Sequence, residues 1–460
     1  MPLVFFWFIV REFDQEETKM VQIFRSLVIV IIGACLFTVR PVAGQQNGKI
    51  DWKSDLTFLE RELPKSHLNA FHTMSAAQFH KMVQELAARS GKATDRQMLA
   101  GLMKITAAIG DSHSGIHSLP ANLRFSIVPI NLYVFADGLG VIAAEPEYKD
   151  LVGGRVISIN GHASADVVRH LKLLTEGTND STRLAFVPTR LIRPELLYYE
   201  GLAATPDQYD LVVEKDGQTL KRKLAVLGRK ADGSPITGGL SIQPLPAANS
   251  DWLSAAPEAR PLWLQGTNRH FWYSEIPEQG ALYVQDNLVL NEDSGQTFSS
   301  FFDEVFQKIG SGGYKRVILD LRLNGGGNNM LFQPLKEAFR SLPIFQTKGS
   351  FYVITGRLTQ SAAQNFTTFL ERNTKAIFVG EPTGERPNHY GDAETITLPS
   401  SGIEISLSRK YWEDSQPGDP RLWTAPMIQA PLTLGLFRQG RDPALEAIWR
   451  YERTPPEKPH

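Results

Sequence analysis

The chain has 460 residues, 42% hydrophobic and 21% charged, a balance that suits two or three globular domains with sizeable cores and excludes disordered and collagen-like classes. A formal net charge of −1 leaves no global basic field for nucleic acid or an anionic membrane surface, so partners are expected to be recognised locally. Cys35 is the only cysteine, which excludes an internal disulfide framework and a cysteine-based zinc site in the body of the protein.

Residues 1–44 read as an export signal. From Met20, a second candidate start, a short segment carrying Arg25 leads into an apolar run over 27–39, and the small residues Ala43 and Gly44 suit cleavage before polar Gln45. Glu12, Asp14, Glu16 and Glu17 are unlike a signal's basic start, which is why Met20 is considered. A lipid-anchor reading of Ile32-Gly33-Ala34-Cys35 is disfavoured because the apolar run continues through Leu36 and Phe37. The run is also shorter than the roughly 18 residues a membrane span needs. An exported protein, periplasmic or secreted, is expected, with no stable membrane span after signal cleavage.

Residues 45–120 carry the pattern of a small helical domain. Apolar residues recur at helical spacing over 55–63 up to Pro64, Ser75 caps a helix over 76–88, and Thr94 caps one over 97–109 that Gly110 stops. The polar turn Gly110-Asp-Ser-His113-Ser-Gly-Ile-His117 follows, placed to deliver a side chain to a neighbouring domain. Over 121–230 the period becomes β-like, with strands in 125–144 and at 155–159, a helix over 163–174, an irregular segment, and a hairpin of 209–213 and 219–227 around Asp216-Gly217. Gly154-Arg-Val-Ile-Ser-Ile-Asn160-Gly161 resembles a PDZ-like domain, a type that binds extended chains by adding a strand to its edge. Residues 231–275, rich in Gly, Pro, Ser and Ala, read as a linker or lid.

From residue 276 to 455 strands and helices alternate. Strands are expected at 281–289, 317–321, 351–355 and 376–379, and helices at 295–309, 330–339 and 362–372, the signature of an α/β layer structure. Two strand ends carry chemistry. Val317-Ile-Leu-Asp-Leu-Arg-Leu-Asn324-Gly-Gly-Gly327 breaks at a glycine turn whose bare backbone suits an oxyanion hole. Tyr352-Val-Ile-Thr-Gly-Arg-Leu-Thr-Gln-Ser361 ends in a lone serine that opens a helix, where the helix dipole favours an anion formed during attack.

Those two segments, together with Val379-Gly-Glu-Pro-Thr-Gly384, resemble the carboxy-terminal processing peptidases, or tail-specific serine proteases. The likeness covers 280–435 well and extends over most of the mature chain. It implies a multidomain α/β protein with a helical N-terminal domain, a PDZ-like β-rich domain and a ClpP/crotonase-like α/β catalytic domain. It also implies a serine endopeptidase acting on peptide or unfolded protein, with Ser361 as nucleophile and the N–H groups of Ala362 and Gly326 as the oxyanion hole.

The sequence departs from the family at the base. The usual lysine turn is here Gly384-Glu385-Arg386-Pro387, and arginine cannot deprotonate a serine because its pKa stays above about 12. Lys375 and Lys410 are the nearest lysines, and nothing around either marks it as buried. Branches of the family resembling the tricorn core protease take a histidine base from the helical region, and His113 occupies that position. His117 and His389 are the fallback bases. The same branches orient the base with an acid near the C-terminus, for which Glu413 and Asp419 both qualify; an ion pair with Arg409 or Arg421 is the alternative use of either.

Competing chemistries lack context. The turn at Ser112 misses a nucleophile elbow by one residue, His113 and His117 lack a zincin's glutamate, and the glycine turn lacks a phosphate loop's Lys-Ser/Thr pair. No cofactor, metal or nucleic-acid partner is implied. The alternative function is a catalytically inactive family member that binds peptides or apolar ligands.

Overall fold

Alternating side chains sort the strands of the C-terminal half to two faces of one sheet. In the computed structural model, which describes residues 49–228, 243–246 and 250–451, β9 (Phe271–Ile276), β10 (Ala281–Asp286), β11 (Arg316–Asp320), β12 (Phe351–Thr355), β13 (Ile377–Gly380) and β16 (Ile428–Gln429) form this sheet in the order β16-β13-β12-β11-β10-β9. All neighbours are parallel except β9, which runs antiparallel to β10. Leu282, Val284, Val317, Leu319, Phe351 and Val353 point to one face and Tyr283, Ile318, Tyr352, Ile354, Ile377 and Val379 to the other, as a period of two requires.

Helices cover both faces. On the first, α8 (Phe298–Ser311) presents Phe298, Phe301 and Phe302, spaced one helical turn apart, and α11 (Ala362–Asn373) presents Phe366 and Phe369. Burying one such side chain contributes roughly 1.5–3 kcal/mol, which makes this aromatic layer the main anchor of the sheet. The second face is closed by Ala444, Leu445 and Ile448 of α13 (Pro443–Tyr451). Between β11 and β12 the predicted helix is a 3₁₀ stretch, Asn329–Leu335, followed by α9 (Lys336–Ser341) and α10 (Pro343–Gln346).

The helical part comprises α1 (Trp52–Ser66), α2 (Ala76–Ala87) and α3 (Asp95–Ala107). Ser75 with Gln78 and Thr94 with Gln97 form capping boxes, which satisfy the first free N–H groups of α2 and α3. Pro64 does not end α1, contrary to expectation: it lies in the last turn, where the buried Leu56, Leu59 and Leu63 hold the helix. Asp55 is buried and accepts the N–H groups of Ser400 (2.7 Å) and Ser401 (2.9 Å), tying α1 to the loop between β14 (Asn388–Thr397) and β15 (Glu404–Glu413). β1 (Gly115–Ser118) pairs antiparallel with β15, giving a three-stranded sheet in the order β1-β15-β14.

The second β-rich part is the sheet β2-β3-β4-β6-β7, built from Ile130–Phe135, Gly138–Ala144, Arg155–Ile159, Asp210–Lys215 and Gln218–Lys223. β5 (His162–Ala163) joins β4, and β8 (Leu253–Ser254) joins β3. The β6–β7 hairpin turns on Asp216 (φ 50°) and Gly217 (φ 78°), the left-handed pair that a two-residue turn needs. α4 (Ser164–Leu171) follows the predicted helix, while the expected irregular segment contains α5 (Asp180–Phe186), α6 (Pro188–Leu191) and α7 (Pro194–Tyr199).

The predicted signal, with Met20 and Cys35, lies outside the described residues, as do 229–242 and 247–249 around the predicted lid. The rest of that lid is partly ordered into sheets: β8 and β9 fall within it. Among the described residues no helix is long and apolar enough to cross a membrane. From Asp51 onward the helical, β-rich and α/β parts pack as one unit. One shared core joins Phe135 and Ile142 to Leu323 and Leu358, which lie just ahead of the glycine turn and of Ser361.

Candidate active site

Ser361 sits where β12 has turned into α11. Thr359 Oγ donates to the Leu321 carbonyl (2.8 Å) and the Gln360 N–H to the Asn324 carbonyl (3.2 Å), so the serine turn is laced to the glycine turn. Ser361 itself has φ 52° and ψ −128°, a conformation L-residues avoid at a cost of about 1–3 kcal/mol. Its hydroxyl does not cap α11; it points instead to His113, with Oγ 3.0 Å from Nε2. The Ala362 N–H, the first of α11, meets no acceptor among the described residues.

The glycine turn lies against the serine. A Cβ on Gly326 would stand 2.5 Å from Ser361 Cβ, and Gly326 has φ 110°, so both space and backbone require glycine. The expected oxyanion donor needs correction, however: the Gly326 N–H donates to Asn324 Oδ1 (2.9 Å), because Asn324 folds back over its own turn. The Gly325 and Gly327 N–H groups have no acceptor among the described residues. The loop after β10 braces the turn through Val289 N–H to the Gly326 carbonyl (2.8 Å) and Asn328 N–H to the Val289 carbonyl (2.9 Å).

Asp286, at the end of β10, is fully buried and neither carboxyl oxygen has a hydrogen-bond partner among the described residues. Burial pushes its carboxyl well above the ordinary range. Because the folded-state value is raised, the fold is favoured below the ordinary carboxyl pKa and loses stability as pH climbs toward the raised value. Asp286→Asn should therefore raise Tm by about 2 °C or more near pH 8 and change it little near pH 4, as thermal unfolding at both pH values would show.

His113 comes from the turn between α3 and β1, a separation of 248 residues from Ser361. Among the described residues its Nδ1 has no hydrogen-bond partner, but it faces Glu385, with Oε1 3.8 Å away. Glu385 is fully buried and joins both arms of the site. Oε1 accepts the hydroxyls of Ser112 and of Thr178 (2.8 Å), and Oε2 accepts the Ser361 N–H (2.9 Å). A buried carboxylate with three donors is a satisfied anion beside an imidazole.

The two acids proposed from sequence do not meet His113. Asp419 is held by the Arg421 guanidinium and the Ser415 hydroxyl (2.6 Å), and Arg421 keeps its carboxyl well below the ordinary range. Glu413 is exposed at the end of β15, and no hydrogen bond or ion pair joins it to His113 among the described residues. Glu385 takes the position next to the imidazole. His117 is exposed on β1. His389 is buried and stacks on His113 with ring centroids 6.3 Å apart; its Nδ1–H donates to the Arg386 carbonyl (3.2 Å). Burial pushes its imidazole below the ordinary range, against the pull of Glu385. Lys410 lies over the Trp412 ring with its side chain half exposed, well short of the burial that would make an ammonium a base.

No protein-family model and no curated protein matches the sequence. Solved structures do match. A serine-to-alanine mutant of CPAF aligns with 87% of this chain and 96% of its own length at 12% identity, with a TM-score of 0.60. Mature CPAF complexed with lactacystin aligns with 87% of this chain and 97% of its own at 13% identity, with a TM-score of 0.55. The photosystem II D1 C-terminal processing protease covers similar shares, 87% and 97%, with a TM-score of 0.38. The chain shares the CPAF fold over 87% of its length.

Proposed function

We propose that the protein is a serine peptidase acting by acyl transfer on peptide or unfolded protein. Ser361 Oγ attacks the peptide carbonyl carbon, and His113 Nε2 takes the hydroxyl proton and gives it to the leaving amine. Water, deprotonated by the same nitrogen, then releases the acyl group and restores the serine. Glu385 orients the imidazole with Nε2 unprotonated and stabilises the cation that forms. The Ala362 N–H and the unengaged N–H groups of the glycine turn serve the oxyanion. An exported enzyme of the branch that lacks the family's lysine, with the PDZ-like sheet offering an edge to extended chains, completes the reading.

The observation that carries this proposal is the 3.0 Å contact between Ser361 Oγ and His113 Nε2, on a serine held in a strained turn at a helix start. The three ordered motifs and the CPAF fold support it. A fluorophosphonate probe should label the wild-type protein covalently and leave Ser361→Ala unlabelled. Equal labelling of the two would remove the nucleophile and leave the ligand-binding alternative.

A further inference from the structure

We infer that His67, at the C-terminal end of α1, positions the base by holding Asp111, which in turn holds the backbone of His113; this rests on His113 being the base. His67 Nε2 lies 2.7 Å from Asp111 Oδ2, and both side chains are buried, with 0% and 1% exposure. The Asn69 N–H donates to His67 Nδ1 (2.9 Å), which fixes the tautomer: Nδ1 carries the lone pair and Nε2 the proton given to Asp111. The other carboxylate oxygen, Asp111 Oδ1, accepts the His113 N–H (2.9 Å) and the Ser408 hydroxyl (3.0 Å). One oxygen is thus committed to α1 and the other to the base.

Every neighbour of this carboxylate is itself tied down. The Leu68 N–H donates to the Ser408 carbonyl (2.9 Å), and the Ser408 N–H to Ser114 Oγ (3.0 Å), so the end of α1, the base turn and β15 are locked at one point. Burial opposes ionisation of Asp111, yet the hydrogen bond from His67, with that from Ser114, holds its carboxyl below the ordinary range. His67 packs against the His72 and Tyr390 rings, at 5.7 Å and 5.3 Å, so the imidazole cannot swing away without opening this corner. Among the described residues His113 Nδ1 has no hydrogen-bond partner, so the backbone anchor acts beside Glu385 in setting where Nε2 sits. Loss of the Asp111 anchor shifts the nitrogen relative to Ser361, and a misplacement near 1 Å costs on the order of a hundredfold in rate.

Fluorophosphonate labelling of Ser361 reads this directly, through the maximal inactivation rate kinact and the apparent affinity KI. His67→Gln keeps a side-chain N–H able to reach Asp111, whereas His67→Asn is too short and His67→Phe keeps the ring without the donor. The expected result is kinact within about threefold of wild type for His67→Gln, and about tenfold or more lower for His67→Asn and His67→Phe, with KI and the circular dichroism spectrum unchanged. His67→Asn and His67→Phe both leave Asp111 without a donor in reach, and either of these donor-free variants that folds suffices. Wild-type kinact in a folded donor-free variant, or equal slowing of His67→Gln and His67→Asn, would overturn the inference. His113→Ala separates this from the underlying reading: if that variant labels at the wild-type rate, the base assignment itself fails, and if it is silent while His67→Phe is fast, only the anchor does.

Discussion

The His113→Ala protein is expected to fold normally and to hydrolyse a disordered substrate such as casein about 10²–10⁴-fold more slowly than wild type. The fold should survive because the contact that ties this turn to Asp111 is made by the His113 backbone N–H, which alanine keeps. The side chain is about one-fifth exposed and holds no hydrogen bond at Nδ1, so truncation leaves only Ser361 Oγ without its partner. Lys410 is not placed to take over: it is engaged with Trp412 and Asp392 on the surface. Arg386→Ala should keep activity within about threefold, since a permanently charged guanidinium takes no proton from serine. Steady-state rates with circular dichroism on both variants check this. A fully active His113→Ala enzyme would move the base elsewhere.

Glu385→Gln should lower kcat by about 10²–10⁴-fold while KM and Tm stay near wild type, a drop comparable to that known for an orienting acid changed to its amide. The amide can keep its oxygen toward the Ser361 N–H and turn its NH₂ toward Ser112 and Thr178, whose hydroxyls can rotate to accept. Packing is thereby preserved. The same NH₂ then faces His113 Nδ1 and favours a lone pair there, which puts the proton on Nε2 and leaves nothing to receive the serine's. Asp419→Asn is the control: it removes one of the two acidic partners of Arg421 and no contact to His113, so it should lower stability slightly and leave kcat unchanged. If Asp419→Asn proves the slower of the two, the acid lies on the C-terminal loop and not at Glu385.

Local order made part of this site readable in advance. Ser361 and the glycine turn follow apolar β-branched strands and stand at the ends of β12 and β11, so strand, turn and helix start are all encoded within a few residues. Glu385 had no such signal. Its place beside His113 arises from Thr178, 207 residues earlier, and from the pairing of β1 with β15, contacts that spacing along the chain does not express. The resemblance points to the Gly326 N–H, but the fate of that group depends on how Asn324 folds back, a matter of side-chain geometry. The edge strand β9 lacks a clean alternation of apolar and polar residues, with Phe271, Trp272 and Tyr273 in a row, so its sequence carries no strand period. Helices α6 and α7 are single turns opened by Pro188 and Pro194, too short for a helical period to register.

The lock between the end of α1, the base turn and Ser408 has a consequence for the order of biosynthesis. During translation the segment bearing His113 leaves the ribosome long before Ser361, and β15, which holds the base turn, comes later still. In the proposed mechanism the anchor of the base turn is therefore incomplete until residue 408 has been made, and catalysis by His113 waits on the last part of the fold.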